Sequence, residues 1–181
     1  MSRIFRSAHS DDVRGIAEVH VRSWQAAYRG QVPDSYLEGL SVAKRELMWT
    51  EILKDQMRGV LVAEDEARIV GFSSFGPVRD EGENRLLTGE IYSIYVLEKF
   101  WNLGIGRTLM EDSLTALERD GFSSVKVWVL ETNQRAISFY EKFGFKAEDL
   151  RKTEKREDFE LREIRYSYQQ QHNEEERILS R

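Results

Sequence analysis

The chain has no cysteine. That excludes disulfides, thiolate-bound metals and a cysteine nucleophile, and it removes any redox sign of compartment, so the expectation defaults to the cytoplasm. Histidine is scarce: His9, His20 and His172 share no paired spacing, and no metal site is expected. No run approaches the roughly 20 apolar residues of a membrane span, and Met1-Ser2-Arg3 leads into Ile4-Phe5-Arg6 rather than into an apolar signal region. Neither membrane insertion nor secretion is therefore expected. The excess charge is acidic, a formal −5, which repels a polyanion on average and gives nucleic-acid binding no support.

What remains is ample for folding: 181 residues, 40% of them hydrophobic, with nine Phe, seven Tyr and four Trp. The length fits one domain over 1–168, followed by a polar tail over 169–181. Residues 4–7 read as a strand. Ser10 is placed to cap a helix with Asp11 and Asp12 in its first turn, where the helix dipole favours carboxylates. Val13, Ile16, Ala17, His20, Trp24 and Ala27 then recur at helical spacing until Gly30 and Pro33. Ser35–Leu40 suggests another helical turn, and Ser41 caps a helix running to about Met57.

From Val60 the period shortens to that of strands. Val60–Glu64 and Ile69–Phe75 form a hairpin around a polar turn, Gly76–Leu87 reads as an exposed loop, and Thr88–Val96 returns to a strand with Glu90, Tyr92, Ile94 and Val96 on one face. Residues 105–120 give the clearest amphipathic helix, closed by Gly121. Val125–Leu130 reads as a strand, Asn133–Lys142 as a helix, Phe145–Asp149 as a strand, Lys152–Asp158 as a charged loop and Glu160–Tyr168 as a last strand. The alternation predicts an α/β layered fold.

The segment from Glu98 to Arg107 lies between a strand and the best helix. Amides at a helix start lack intrahelical partners and carry partial positive charge, and Gly104 and Gly106 let an anion approach that backbone closely. A dinucleotide fingerprint would need a third glycine, and a P-loop would need Gly-Lys-Ser/Thr; neither is present. Some 30 residues on stands Asn133-x-x-Ala136-x-x-Phe139-Tyr140-x-x-x-Gly144-Phe145. Val96, the turn ending Gly104-Ile105-Gly106, a helix, a strand and this second motif together resemble the acetyl-CoA-binding half of the GNAT superfamily of N-acetyltransferases. The resemblance covers about 3–168 and is strongest over 88–145. It differs at Trp101, where the family's turn usually has Gln or Arg, so a side-chain contact to the diphosphate is in question while the backbone cradle is not.

The resemblance implies an α/β (α+β) fold with a mixed, mostly antiparallel central sheet and helices on both faces. It also implies acetyl-CoA as co-substrate, no metal, and a primary amine on a small molecule, peptide or protein as acceptor. An amine attacking a thioester must lose a proton, the carbonyl oxygen must be stabilised, and the leaving thiolate must gain a proton. By resemblance, the backbone amide near Val96 holds the thioester carbonyl, with Ile94 on the same strand. Asn102, Leu103, Gly104, Ile105, Gly106 and Arg107 hold the diphosphate, Asn133 contacts the cofactor's arm, and Tyr140 protonates the thiolate. Glu90 is the first candidate for general base and Glu131 the second. Trp24, Tyr28 and Tyr36 offer an aromatic wall to a cationic amine, joined by Tyr92, whereas His20 reads as a packing residue. The last strand and tail are where relatives pair into homodimers. A non-catalytic acyl-CoA-binding sensor fits the cofactor motif equally, and the retained Tyr140 favours catalysis.

Overall fold

The computed structural model describes residues 3–156 and 158–170. A first strand, β1 (Ile4–Ser7), is followed by helices α1 (Val13–Ala27), α2 (Asp34–Glu38) and α3 (Val42–Ile52). Then come β2 (Gly59–Asp65), β3 (Arg68–Pro77), β4 (Thr88–Val96), α4 (Ile105–Arg119), β5 (Ser124–Leu130), α5 (Gln134–Lys142), β6 (Lys146–Lys155) and β7 (Glu160–Gln169). The seven strands form one sheet in the order β1-β2-β3-β4-β5-β7-β6, parallel only between β4 and β5. It is the mixed, mostly antiparallel sheet expected. Helices cover both faces: Ile16 of α1 and Trp49 of α3 pack on Phe72, while Met110, Leu114 and Leu117 of α4 and Tyr140 of α5 pack on Ile91, Val125 and Val127.

The β2–β3 hairpin turns on Glu66 and Ala67, both at left-handed φ (50° and 61°), the geometry whose twist matches two antiparallel strands. Ser41 caps α3 as expected, its hydroxyl accepting from the Lys44 amide at 3.3 Å. That helix stops at Ile52 rather than near Met57, because Asp55 accepts the Met57 amide at 3.0 Å and folds the chain into a turn.

The first helix does not start at the expected cap Ser10: a short turn capped by His9 comes first, and α1 itself is capped at Asp12. Ser10–Asp12 form a short 3-10 turn begun by His9, whose amide donates to the Asp12 carboxylate at 2.9 Å. Asp12 is recruited by Arg6 instead of the solvent, at 2.6 and 2.8 Å. Burial pushes the Asp12 carboxyl up, but Arg6 and the His9 amide together hold it below the usual carboxylate range.

Two further expectations change. The charged run taken as a loop is mostly strand: β6 extends to Lys155, leaving only a short turn before β7. As the sheet's edge it is exposed along nearly its whole length, so no apolar alternation marks it. The shared face of β4 is also broken. Ser74 pairs with Ser93 but Phe75 pairs with Ile91, so Tyr92 is an extra, bulged residue. Beyond the bulge Ile94 and Val96 face α4, packing near Ile105 and Leu109, whereas before it Ile91 takes that side and Glu90 the opposite one. The tail over 171–181 lies outside the described residues. No described helix is long and apolar enough to cross a membrane.

Close backbone packing makes one glycine a sensitive point. A Cβ on Gly59 would lie 2.2 Å from the Phe75 ring, inside the core. Gly59→Ala is predicted to cost about 1–3 kcal/mol by overpacking, read as a lower urea midpoint at unchanged slope; an unchanged midpoint would show that the ring yields freely.

Candidate active site

The parallel ladder between β4 and β5 runs only from Thr88↔Ser124 to Ile91↔Val127. The β4 bulge follows at once, after which β4 stays with β3 and β5 stays with β7. The strands part, and the gap opens into a cavity of about 820 Å³ lined by Tyr92–Val96 on one side and Val127–Leu130 on the other. The Leu97 amide donates to Val70 of β3 at 2.9 Å. Alternation along the strand therefore turns the amides of Ile94 and Val96 the other way, into the gap.

The turn before α4 faces the same cavity. Gly104 is the N-cap of α4 at φ 84°, a left-handed conformation that glycine adopts without strain, and Asn102 precedes it at φ 61°. The first amide that bonds back within the helix at this end is that of Thr108, to Gly104 at 3.0 Å. The amides of Ile105, Gly106 and Arg107 are thus left for an outside acceptor. Trp101 supplies no polar contact of its own to this turn, because its indole N–H donates to the Val96 carbonyl at 2.7 Å. The anchored ring carries the guanidinium of Arg135 from α5, centred 3.2 Å above it. Among the described residues Arg135 has no carboxylate within ion-pair distance, and desolvation lowers its pKa from the ordinary arginine value. A cation supported from α5 thus stands where the sequence suggested a polar side chain was missing.

Deeper in the cavity lie three phenols. Tyr140 is buried, its ring against Phe139 and Phe145 at centroid distances of 5.4 and 5.6 Å. Burial pushes its hydroxyl well above the usual phenol value, and Tyr28 and Tyr95 are pushed up for the same reason. Trp24 donates its indole N–H to the Tyr95 hydroxyl at 2.9 Å. Tyr95 stacks on His20 at 5.3 Å, and Trp49 donates to His20 Nδ1 at 3.2 Å. That imidazole is therefore neutral with its proton on Nε2; burial first, then the charge of Arg45, lowers its pKa to about 3.

Glu90 is 1% exposed and held by Arg79, which donates its amide at 3.0 Å and its guanidinium at 2.5 Å. Arg79 also lies 4.4 Å over the Tyr92 ring, whose hydroxyl donates to the Pro77 carbonyl at 2.5 Å. Burial, then the Glu90 charge, pushes the Tyr92 phenol up to about 12. The next residue, Asp80, accepts from the Trp128 indole at 3.1 Å and from Arg165 at 3.0 Å. Arg165 also binds Glu83 at 2.9 Å and Glu148, which in turn takes Lys126 at 2.6 Å. The segment read as an exposed loop is thus strapped to β5 and β7 at its start.

Trp24, Tyr28, Glu90, Tyr92, Ile94, Val96, Gly106, Asn133 and Tyr140 all line this one cavity. Asn102, Leu103, Gly104, Ile105 and Arg107 sit around the turn, though the Ile105 side chain is core and Arg107 bends to Glu111 at 2.8 Å. Asn133 uses its side-chain oxygen to cap α5, accepting from the Ala136 amide at 3.1 Å. Glu131 stays outside, paired with Arg151 at 2.8 Å, and Tyr36 packs on Phe159 at 4.9 Å instead of reaching the cavity.

Comparison with known proteins identifies this arrangement. The model of the acetyltransferase (GNAT) family matches residues 16–145. The chain belongs to the GNAT acetyltransferase family. It is 40% identical over 140 residues to the uncharacterized N-acetyltransferase YuaI of Bacillus subtilis, covering 77% of this chain and 78% of that one. It is 25% identical over 154 residues to the spermidine N(1)-acetyltransferase of Thermoplasma acidophilum, covering 82% of this chain and 91% of that one. The fold matches the PaiA N-acetyltransferase from Thermoplasma acidophilum, solved in complex with coenzyme A. There the TM-score is 0.75 at 22% identity, covering 94% of this chain and all of that one.

Within the acetyltransferase, sequence reading missed Tyr95, Arg79, Asp80, Trp128, Arg45 and Arg135, which all line the cavity. Tyr95 shares the side of Glu90, a parity that simple alternation across the bulge reverses. Arg79 and Asp80 stand in a stretch whose Pro, Gly and charges signal a loop. Arg135 did have a signal: it stands inside the second motif, two residues after Asn133.

The lowered pKa of His20 gives a pH signature. The unfolded imidazole takes up a proton below about 6.5 while the folded one does so only near 3, so stability is full above pH 6.5 and is lost as pH falls through that window. Across it the enzyme is predicted to lose up to about 1.4 kcal/mol per pH unit that His20→Gln does not lose. Urea titrations at pH 7, 6, 5 and 4 read the difference, and parallel curves would count against a buried neutral His20.

Proposed function

We propose that the enzyme moves an acetyl group from acetyl-CoA to a primary amine by direct attack, with Tyr140 as general acid. The observation that carries this reading is the convergence of the β4–β5 gap, the α4 turn and Tyr140 on one cavity. Bound acetyl-CoA supplies an activated acyl carbon and a thiolate leaving group. The site suits that molecule: free amides at the α4 start and the Arg135 guanidinium offer an anion-binding end, and the parted strands offer backbone donors to an extended arm.

The Val96 amide donates to the thioester carbonyl and stabilises the charge that grows there as nitrogen attacks. The C–N bond forms, the C–S bond breaks, and the Tyr140 hydroxyl gives its proton to the departing sulfur. Burial serves this role, because a phenol whose pKa is pushed up stays protonated throughout the neutral range. The amine must shed a proton. Glu90 is the carboxylate in the cavity assigned to this step, acting through water, since Arg79 already occupies both its oxygens. Glu131, outside the cavity, is not assigned the step.

Tyr140→Phe is predicted to lower kcat by at least about 100-fold while leaving coenzyme A affinity by calorimetry within about threefold. Thiol release with a panel of amines gives the rates. Unchanged turnover removes the proposed acid, and tight coenzyme A binding without turnover on any amine would favour a sensor domain. For the anion-binding end, Arg135→Ala and Trp101→Ala are each predicted to weaken coenzyme A by about tenfold, the scale of one charge-assisted hydrogen bond. Dephospho-coenzyme A, which keeps the diphosphate, should suffer the same loss; affinity unaffected by either variant would show that the backbone alone suffices.

A further inference from the structure

The cavity carries a second cation that the transfer does not use. Arg45 of α3 lines the cavity with His20, and its guanidinium donates to the Met48 thioether at 3.5 Å, a weak acceptor. Among the described residues no carboxylate lies within ion-pair distance of it. The cavity's own carboxylates are already matched: Glu90 with Arg79 at 2.5 Å, Asp80 with Arg165 at 3.0 Å, Glu154 with Arg156 at 2.6 Å and Glu163 with Lys152 at 3.3 Å. None is left over to receive a positively charged acceptor arm. Arg58, which also lines the cavity, lies 4.9 Å over the Tyr92 ring, and among the described residues its ion pair is with the half-exposed Asp55 at 3.2 Å.

This cation is not placed for the diphosphate. Tyr95, which like His20 is within reach of the Arg45 charge, faces the α1 and α3 side of the sheet, whereas Val96 and the α4 turn lie on the other. Arg45 and Arg135, cavity guanidiniums with no carboxylate partner among the described residues, therefore stand on opposite sides of β4. His20 cannot neutralise a neighbouring charge as an anion would, and it is itself neutral.

We propose that the acceptor is an amine that also carries a carboxylate, and that Arg45 binds that carboxylate with Arg58 at its rim. This rests on the amine-transfer reading above and narrows it. A guanidinium binds a carboxylate through paired N–H donors and thereby orients the amine at the other end of the molecule toward the gap. A polyamine would bring further positive charge to a wall that has no free anion for it.

The test is a matched acceptor panel: free amino acids and dipeptides, the same compounds as C-terminal amides, and spermidine, each with acetyl-CoA and thiol release as readout. The free acids are expected to exceed their amides in kcat/KM by at least tenfold. In Arg45→Met that ratio should fall toward one while KM for acetyl-CoA is unchanged, and Arg45→Lys should keep part of it if the Met variant folds poorly. Amides or spermidine used as well as the acids, or discrimination that survives Arg45→Met, would overturn the inference and leave amine transfer intact. Turnover on no amine, with coenzyme A still bound, would overturn both.

Discussion

The architecture of this acetyltransferase turns on a parting of two parallel strands. β4 and β5 share four residue pairs and then separate, and the extra residue at Tyr92 is what bends β4 away. A sheet whose central strands diverge would ordinarily expose backbone donors and acceptors to no partner. Here each strand keeps its outer neighbour, so the loss falls on one edge of each, and that edge lines the cavity. The gap is thus held open by satisfied hydrogen bonds on either side, which gives a ligand a rigid pair of rails. The same bulge sends Glu90 and Ile94 to opposite faces of the strand, which separates the paired charges around Glu90 from the apolar contact with α4.

Electrostatics complete the division. The wall around Glu90 is built from pairs, Arg79 with Glu90 and Arg165 with Asp80, each also in contact with an aromatic ring, Tyr92 or Trp128. Such pairing fixes side-chain positions more than it adds stability, since desolvation offsets much of the attraction. On the other side of β4, Arg135 is supported by stacking on an indole and not by a carboxylate. A guanidinium placed in that way keeps its donors free. The chain as a whole is acidic, yet its cavity presents its free charges as cations.

Much of this was legible in the sequence where local rules and tertiary demands coincide. The boundaries of β4 and α4 followed from alternation and amphipathic spacing, and the turn at Gly104 from a glycine at a helix start. The two motifs around 96–106 and 133–145 located the cavity because they name residues that the fold brings to one place. What failed was the counting of faces across the bulge, since an inserted residue shifts the parity of every position beyond it and leaves no compositional mark. The edge strand β6 was hidden for a different reason: with both faces exposed, its sequence answers to solvent and not to a core. Arg79 and Asp80 were hidden because their partners, Glu90 and Arg165, are 11 and 85 residues away, a separation that no local pattern reports.

The strap centred on Arg165 joins parts of the chain far apart in order. One side chain on β7 ties down Asp80 and Glu83, and through Glu148 and Lys126 it reaches β6 and β5. This wall of the cavity therefore shares its side-chain anchors with the last hairpin: freeing Arg165 would release Asp80 and Glu83 together. Those contacts cannot form until β7 has been made, so during synthesis this wall of the cavity is fastened last.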